Sequence, residues 1–171
     1  MIRFGKNRSL GALASSVLLV ANGCIYGFAG GGLPSHIQTV AIMPFDNQTA
    51  EPSLTLEVAA AVTEAIQRRL GLRLASEASA DAIVTGTITR YEADIPLQVL
   101  SDDAGNVAVT RRRVQISVSV QIFDVLEERM LWQRSSLTVD GEYNPPREPA
   151  GREVALTKLV NDIVDGAQSQ W

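Results

Sequence analysis

The sequence predicts an α+β fold: a small mixed or antiparallel sheet of about four to five strands, with two helices packed on one face. Three observations predict it. Residues 114–122 (VQISVSVQI) alternate strictly, valine and isoleucine on one side and glutamine and serine on the other, as in a strand with one buried and one polar face. Segments 53–70 and 153–168 repeat apolar residues at helical spacing. The order strand, helix, strands, helix is that of a sheet with its helices segregated to one side.

The chain begins with a basic stretch (Arg3, Lys6, Arg8), followed by an uncharged apolar run over 10–21 and then Asn22-Gly23-Cys24. That is the layout of a secretory signal. The run is shorter than the roughly 20 apolar residues needed to span a bilayer. A cysteine directly after a small residue points to a lipoprotein signal, in which the thiol takes a diacylglycerol and the peptide is cut before Cys24. Ala21 stands three residues before the cysteine, where a lipobox normally has leucine. Cys24 is the single cysteine, so no intrachain disulfide forms and the thiol is left for another use. The expected organisation is a signal over 1–23, a Gly-rich tether over 24–36 and one domain over 37–171.

Within that domain, 37–45 (IQTVAIMPF) is β-branched and almost continuously apolar from Val40, as in a central strand, and Pro44 marks its exit. Asp46 to Thr49 form a turn. A helix then opens near Ser53, with Ser53 or Thr49 as the expected N-cap. Leu54, Val58, Ala61, Val62, Ala65, Ile66 and Leu70 share one face, Arg68 and Arg69 suit the last turn, and Gly71 is a stop signal. A short strand is expected at 72–75. Segments 82–91, 114–123 and 130–139 form an antiparallel meander. Residues 94–110, with Pro96 and Ser101-Asp102-Asp103-Ala104-Gly105-Asn106, are expected as a loop or hairpin tip. Residues 140–149 hold three prolines and read as a linker before the second helix.

Charge and motif content exclude several functions. The signal holds three of the fifteen basic residues, so twelve face nineteen acidic ones in the mature chain, a net charge of −7. A mildly acidic domain is not a general nucleic-acid binder. No HExxH, CxxC, P-loop or GxSxG is present, and the lone histidine, His36, stands outside any motif and reads as an incidental surface residue. No cofactor, metal site or enzyme activity is expected. The one local run of charge is Arg111-Arg112-Arg113, with Arg90 at the end of the preceding strand. If those strands pair, four guanidinium groups share one end of the sheet. They then either meet phosphates of an anionic ligand through bidentate contacts, or pair with Glu92, Asp94, Asp102 or Asp103 on a solvated strand end.

Several segments together resemble one family. Cys24-Ile25-Tyr26-Gly27-Phe28, followed by Gly30-Gly31-Gly32-Leu33-Pro34-Ser35-His36-Ile37, is similar to the opening of LptE-like lipoproteins. Val40 to Thr49 with Glu51-Pro52, then Asp81 to Ile88, then Val125 to Trp132, follow that family's pattern in order. Ile25 stands where the opening usually has glycine. The resemblance implies a lipoprotein of the outer membrane, lipid-anchored through Cys24 on the periplasmic face. It further implies a plug for an LptD-type barrel that helps the barrel assemble and binds lipopolysaccharide. A small sheet with two helices on one face is the fold it implies. The assignment of Arg90, Arg111, Arg112 and Arg113 to lipopolysaccharide phosphates is an expectation from their clustering alone. Similar strand segments also occur in periplasmic modules of the TolB amino-terminal type and in lipoprotein activators of cell-wall synthases, which bind protein partners instead.

Overall fold

Strand β5 (Val107–Asp124) is the element around which the others are arranged. In the computed structural model, which describes residues 32–101, 103 and 107–169, its even-numbered residues Val114, Ile116, Val118, Val120 and Ile122 are all buried. The odd-numbered Gln115, Ser119 and Gln121 lie half-buried on the opposite face. Only one face of the sheet therefore carries the core.

The remaining elements are β1 (Thr39–Ile42), β2 (Asp46–Asn47), α1 (Ser53–Ala65), β3 (Arg73–Leu74), β4 (Ala82–Ser101), β6 (Arg129–Tyr143) and α2 (Glu148–Ser169). The sheet runs β3-β1-β4-β5-β6, with β2 alongside β4 beyond the end of β1. β1 pairs in parallel with β3 and β4, and β4, β5 and β6 form an antiparallel meander. Leu54, Val58, Val62 and Ile66 from the first helical segment join Ala155, Leu159, Ile163 and Ala167 from α2 in one core cluster with Val40, Val84 and Ile88. Both helices thus cover the same face, and the fold is the α+β sandwich expected.

Local details depart from expectation for identifiable reasons. α1 has Pro52 at its N-cap with no side-chain cap bond, in place of Ser53 or Thr49. Its last turn, Ile66–Leu70, widens to a π-helix before Gly71 ends it at φ +69°, a left-handed conformation that glycine adopts without strain. α2 begins at Glu148, five residues earlier than expected. Pro149 falls in its first turn, where the missing N–H has no helical partner to lose. Most of the expected linker is strand or helix.

Of the two forms expected at 94–110, the described residues take the hairpin: β4 and β5 stay paired as far as Ser101 opposite Val107. β6 ends opposite Arg112, so beyond that point β4 and β5 form a two-stranded arm. Pro96 is tolerated because β4 has lost its other neighbours after Ile88 and is an edge strand there.

Close backbone approach fixes α2 on the sheet. A Cβ at Gly141 would lie 1.9 Å from the Gly151 carbonyl oxygen, and one at Gly166 would lie 2.4 Å from the Trp132 ring. The face assignment is tested by two substitutions on neighbouring strands. Val118→Asp buries an unpaired carboxylate and is expected to cost about 3 kcal/mol or more. Gln133→Glu, on the open face, is expected to change stability by less than about 0.5 kcal/mol. Equal shifts in the chemical denaturation midpoint would reverse the two faces.

Candidate functional site

The uncovered face of the sheet is a field of neutral hydrogen-bonding groups. Thr85, Thr87, Gln115, Ser119 and Gln121 stand half-exposed across β4 and β5. Gln121 Nε2 donates to Thr85 Oγ1 at 2.8 Å, and Ser117 Oγ lies 2.9 Å from Thr138 Oγ1 on β6. Among the described residues no helix covers this face, and its composition keeps it wet.

The four arginines do not gather at one point. Arg90 pairs with Ser117 and Arg113 with Ile95, so the two are four residues of β5 apart, about 13 Å along the ladder. Arg111 and Arg113 share the open face with Arg90. Arg112 lies opposite Tyr143, on the helix-bearing face. Arg90 pairs with Glu92, Arg111 with Glu142 and Arg112 with Asp94. Two of these carboxylates, Glu92 and Asp94, are ones the sequence offers nearby; Glu142 comes from β6. Arg112 holds the Asp94 carboxyl below the usual range, and Asp94 in turn accepts from the Tyr143 hydroxyl at 3.2 Å. This knot sits at the root of the arm. Arg111 lines a cleft with Glu142, Asn144, Arg147 and Val154, which places a fifth guanidinium, Arg147, beside it. Arg147 lies in the Pro-rich connection, so its proximity to Arg111 was not legible from spacing.

The arm itself carries apolar side chains into solvent. Leu97, Val99, Leu100 and Val107 are each 41–70% exposed. An isolated two-stranded ribbon is marginally stable in water, so this is a surface suited to being covered.

At the other end of the sheet the chain entering β1 is clamped. His36 is not an incidental surface residue: its Nε2 lies 2.7 Å from Oδ2 of Asp124, a fully buried carboxylate 88 residues away. Asp124 Oδ1 accepts from the backbone N–H groups of Leu126 and Glu127, both at 3.0 Å. Burial alone would raise the Asp124 pKa, but the Glu127 N–H, His36 and the Leu126 N–H together hold it below the usual value. Asp81 is a second clamp, accepting from the Thr39 hydroxyl at 2.7 Å and from the backbone of Gln38 and Thr39. The Thr39 hydroxyl is the main cause of its lowered pKa. His36, Asp124 and Glu127 could in principle share a cation. His36 Nε2 and both Asp124 oxygens already have partners, and Glu127 is paired with Arg129.

A third cluster joins the helices to β4. The Arg152 side chain, 15% exposed, lies 3.4 Å from Glu57, 3.3 Å from Glu148 and 3.9 Å from Glu51. It also donates to Ser53 Oγ at 2.8 Å. Its guanidinium carbon stands 5.8 Å from the Tyr91 ring centroid, and the Tyr91 hydroxyl donates to Glu148. Burial, then that bond, raises the Tyr91 pKa. Among the described residues no helix is long and apolar enough to cross a membrane. Cys24 and most of the tether lie outside the described residues. Leu33 packs against the core, and a turn closes from Ile37 N–H to the Pro34 carbonyl, so the packed structure begins inside the expected tether.

These features define an α+β module with one helix-covered and one open polar face. Solved structures share the fold at low identity. The PelC dodecamer from Paraburkholderia phytofirmans matches at 14% identity with a TM-score of 0.53, covering 81% of this chain and 95% of that one. Protein XCC0632 from Xanthomonas campestris matches at 14% identity with a TM-score of 0.55, covering 81% and 90%. The hypothetical protein CT253 from Chlamydia trachomatis matches at 14% identity and 0.51, covering 77% and 98%. No curated protein is similar enough to match. The model of the LptE family, described as lipopolysaccharide-assembly, matches residues 37–168. The chain belongs to that family, as the motifs of its first half led one to expect.

Two outcomes test the clamps. The folded Asp124 carboxyl binds its proton at lower pH than the unfolded one. Its contribution is therefore complete above the ordinary carboxylate range and is lost as the pH falls through the folded value. Asp124→Asn is expected to cost about 2 kcal/mol at neutral pH and to flatten the fall in Tm below about pH 4. Arg152→Ala is expected to cost about 2 kcal/mol, with Arg152→Lys recovering part of it, read by urea denaturation.

Proposed function

We propose that this protein is an outer-membrane lipoprotein, acylated at Cys24. In this reading it seats in an LptD-type barrel, supports that barrel's assembly, and binds lipopolysaccharide during its delivery to the cell surface. The observation that carries the reading is that the family match spans residues 37–168 and so takes in the whole packed core. The signal layout around Cys24 supplies the anchor, and more than one acyl chain makes the anchoring stable. The open face supports a plug: the lumen of a large barrel is polar and wet, and a row of threonine, serine and glutamine suits such a wall better than an apolar face.

For lipopolysaccharide phosphates, Arg111 is the best placed of the four arginines, because it shares a cleft with Arg147. Arg90 and Arg113 extend the same face along the ladder. Arg112 serves mainly to hold the root of the arm through Asp94. An anionic ligand at Arg111 competes with Glu142, so binding weakens with salt.

The reading is tested in the native membrane. Intact mass is expected to show a mature chain beginning at acylated Cys24, and affinity purification to recover a large barrel. Recovery of a cell-wall synthase in place of a barrel would overturn the proposal. The double variant Arg111→Gln, Arg147→Gln removes exposed cations each contributing about 0.5–1 kcal/mol. It is expected to weaken lipopolysaccharide binding roughly fivefold to thirtyfold at low salt while barrel recovery is unchanged. Wild-type affinity in that variant would remove the phosphate site and leave the plug standing.

A further inference from the structure

Seven of the exposed large apolar residues fall into two groups at opposite ends of the long strands, while Leu56, Leu74 and Val154 stand singly on α1, β3 and α2. One is the arm. The other is the turn between β5 and β6, where Val125 is 39% exposed, Leu126 73% and, at the start of β6, Met130 41%. This turn is built rigidly. The Val125 N–H donates to the Asp81 carbonyl at 2.9 Å, and those of Leu126 and Glu127 donate to buried Asp124. Glu128 takes a positive φ of 49° to close it. Leu126 is thus held outward on a fixed knuckle, with most of its surface open.

The same turn is where the chain enters the domain. His36 is bonded to Asp124, one residue before Val125. Gly32 is four residues before His36, and Cys24 is eight before Gly32. Eight fully extended residues span at most about 29 Å. The arm lies far beyond that reach. Ala82 pairs with Asp124 at the anchored end and Ser101 with Val107 at the other. A straight strand from Ala82 to Ser101 is about 60 Å long. A tether of that length from Cys24 brings the β5–β6 turn within reach of the membrane and does not hold the far end of the arm there.

We propose that the β5–β6 turn is a lipid-contact surface: Leu126, flanked by Val125 and Met130, enters the headgroup–acyl boundary of the leaflet that holds the anchor. The occupant is a lipid surface because the anchor brings one within reach and because the exposed side chains are aliphatic on a fixed support. The adjacent carboxylate of Glu127 is paired with Arg129, which lessens the cost of bringing the turn to the interface. The contact adds to the acyl chains and sets the tilt of the domain, so the arm is presented to a partner at a defined height. The inference rests on Cys24 as the point of attachment.

The test uses the chain from Cys24 onward, whose core lies wholly within the described domain. It is coupled through the Cys24 thiol to a maleimide-headgroup lipid in phosphatidylcholine vesicles, so that the result does not depend on cellular acylation. Leu126→Trp and Leu100→Trp are compared with the parent chain, using lipids brominated near the top of the acyl chain as quenchers. Both sites are exposed, so neither substitution disturbs packing. The expected result is loss of emission and a shift to shorter wavelength for Leu126→Trp on tethering, with neither change for Leu100→Trp. Unquenched emission from Leu126→Trp, or equal quenching at both positions, would overturn the proposal. Absence of acyl mass on Cys24 in cells would instead remove the attachment reading, which this tethered experiment leaves distinguishable.

Discussion

Everything in this molecule hangs on the pairing of β4 with β5. The ladder runs from Ala82 opposite Asp124 to Ser101 opposite Val107, and each part of the protein is placed by where it meets that ladder. Its first stretch is widened by β1, β2 and β6 and covered by both helices. Its last stretch has no neighbours and becomes the arm. Because alternate residues of β5 face opposite ways, a slip of one residue would put Val114, Ile116 and Val118 into water and the glutamines and serines into the core. The burial of five aliphatic side chains in one row therefore fixes register as well as stability.

Buried polar groups fix what the apolar row leaves free. Asp124 is fully enclosed, yet each of its oxygens accepts hydrogen bonds, from His36 on one side and from the following turn on the other. An unpaired buried carboxylate would be costly; a fully bonded one locks the entry of the chain to the end of the sheet. Arg152 does the same where α1, α2 and β4 converge, with three carboxylates around one guanidinium. These two clusters lie on different sides of the core. Asp124 makes the chain-entry end of the domain firm and Arg152 the stretch around Tyr91, while the arm is held by its own ladder and by the Asp94–Arg112–Tyr143 knot at its root.

That contrast gives the surface its functional grain. The firm end carries the chain entry and the knuckle at Leu126. The middle presents a helix-covered face and an open hydroxyl and amide face. The far end exposes aliphatic residues on a two-stranded ribbon. Membership in a lipopolysaccharide-assembly family is consistent with a body whose surfaces differ so sharply from end to end, since a rigid turn, a polar wall and an apolar ribbon each suit a different neighbour.

The sequence by itself determined the element types, their order and the buried row of β5, because helical and alternating periodicities are local and each names its own face. It also determined the family, through motifs that lie within short segments. Only the tertiary structure decided the rest. The arm reads locally as a loop or hairpin tip, since Pro96 and the Asp-Asp-Ala-Gly-Asn run are turn signals. Whether a ladder continues past them depends on a partner strand that local spacing does not register. The arginine triplet reads as one cluster, but strand alternation sends Arg112 to the opposite face from Arg111 and Arg113, and the register sets Arg90 four residues of β5 away from Arg113. His36 looks isolated because its partner is 88 residues away, and Arg147 meets Arg111 only because the chain turns back after β6. Periodicity reports which face a residue occupies; register and chain reversal decide what stands opposite it, and those are properties of the folded whole.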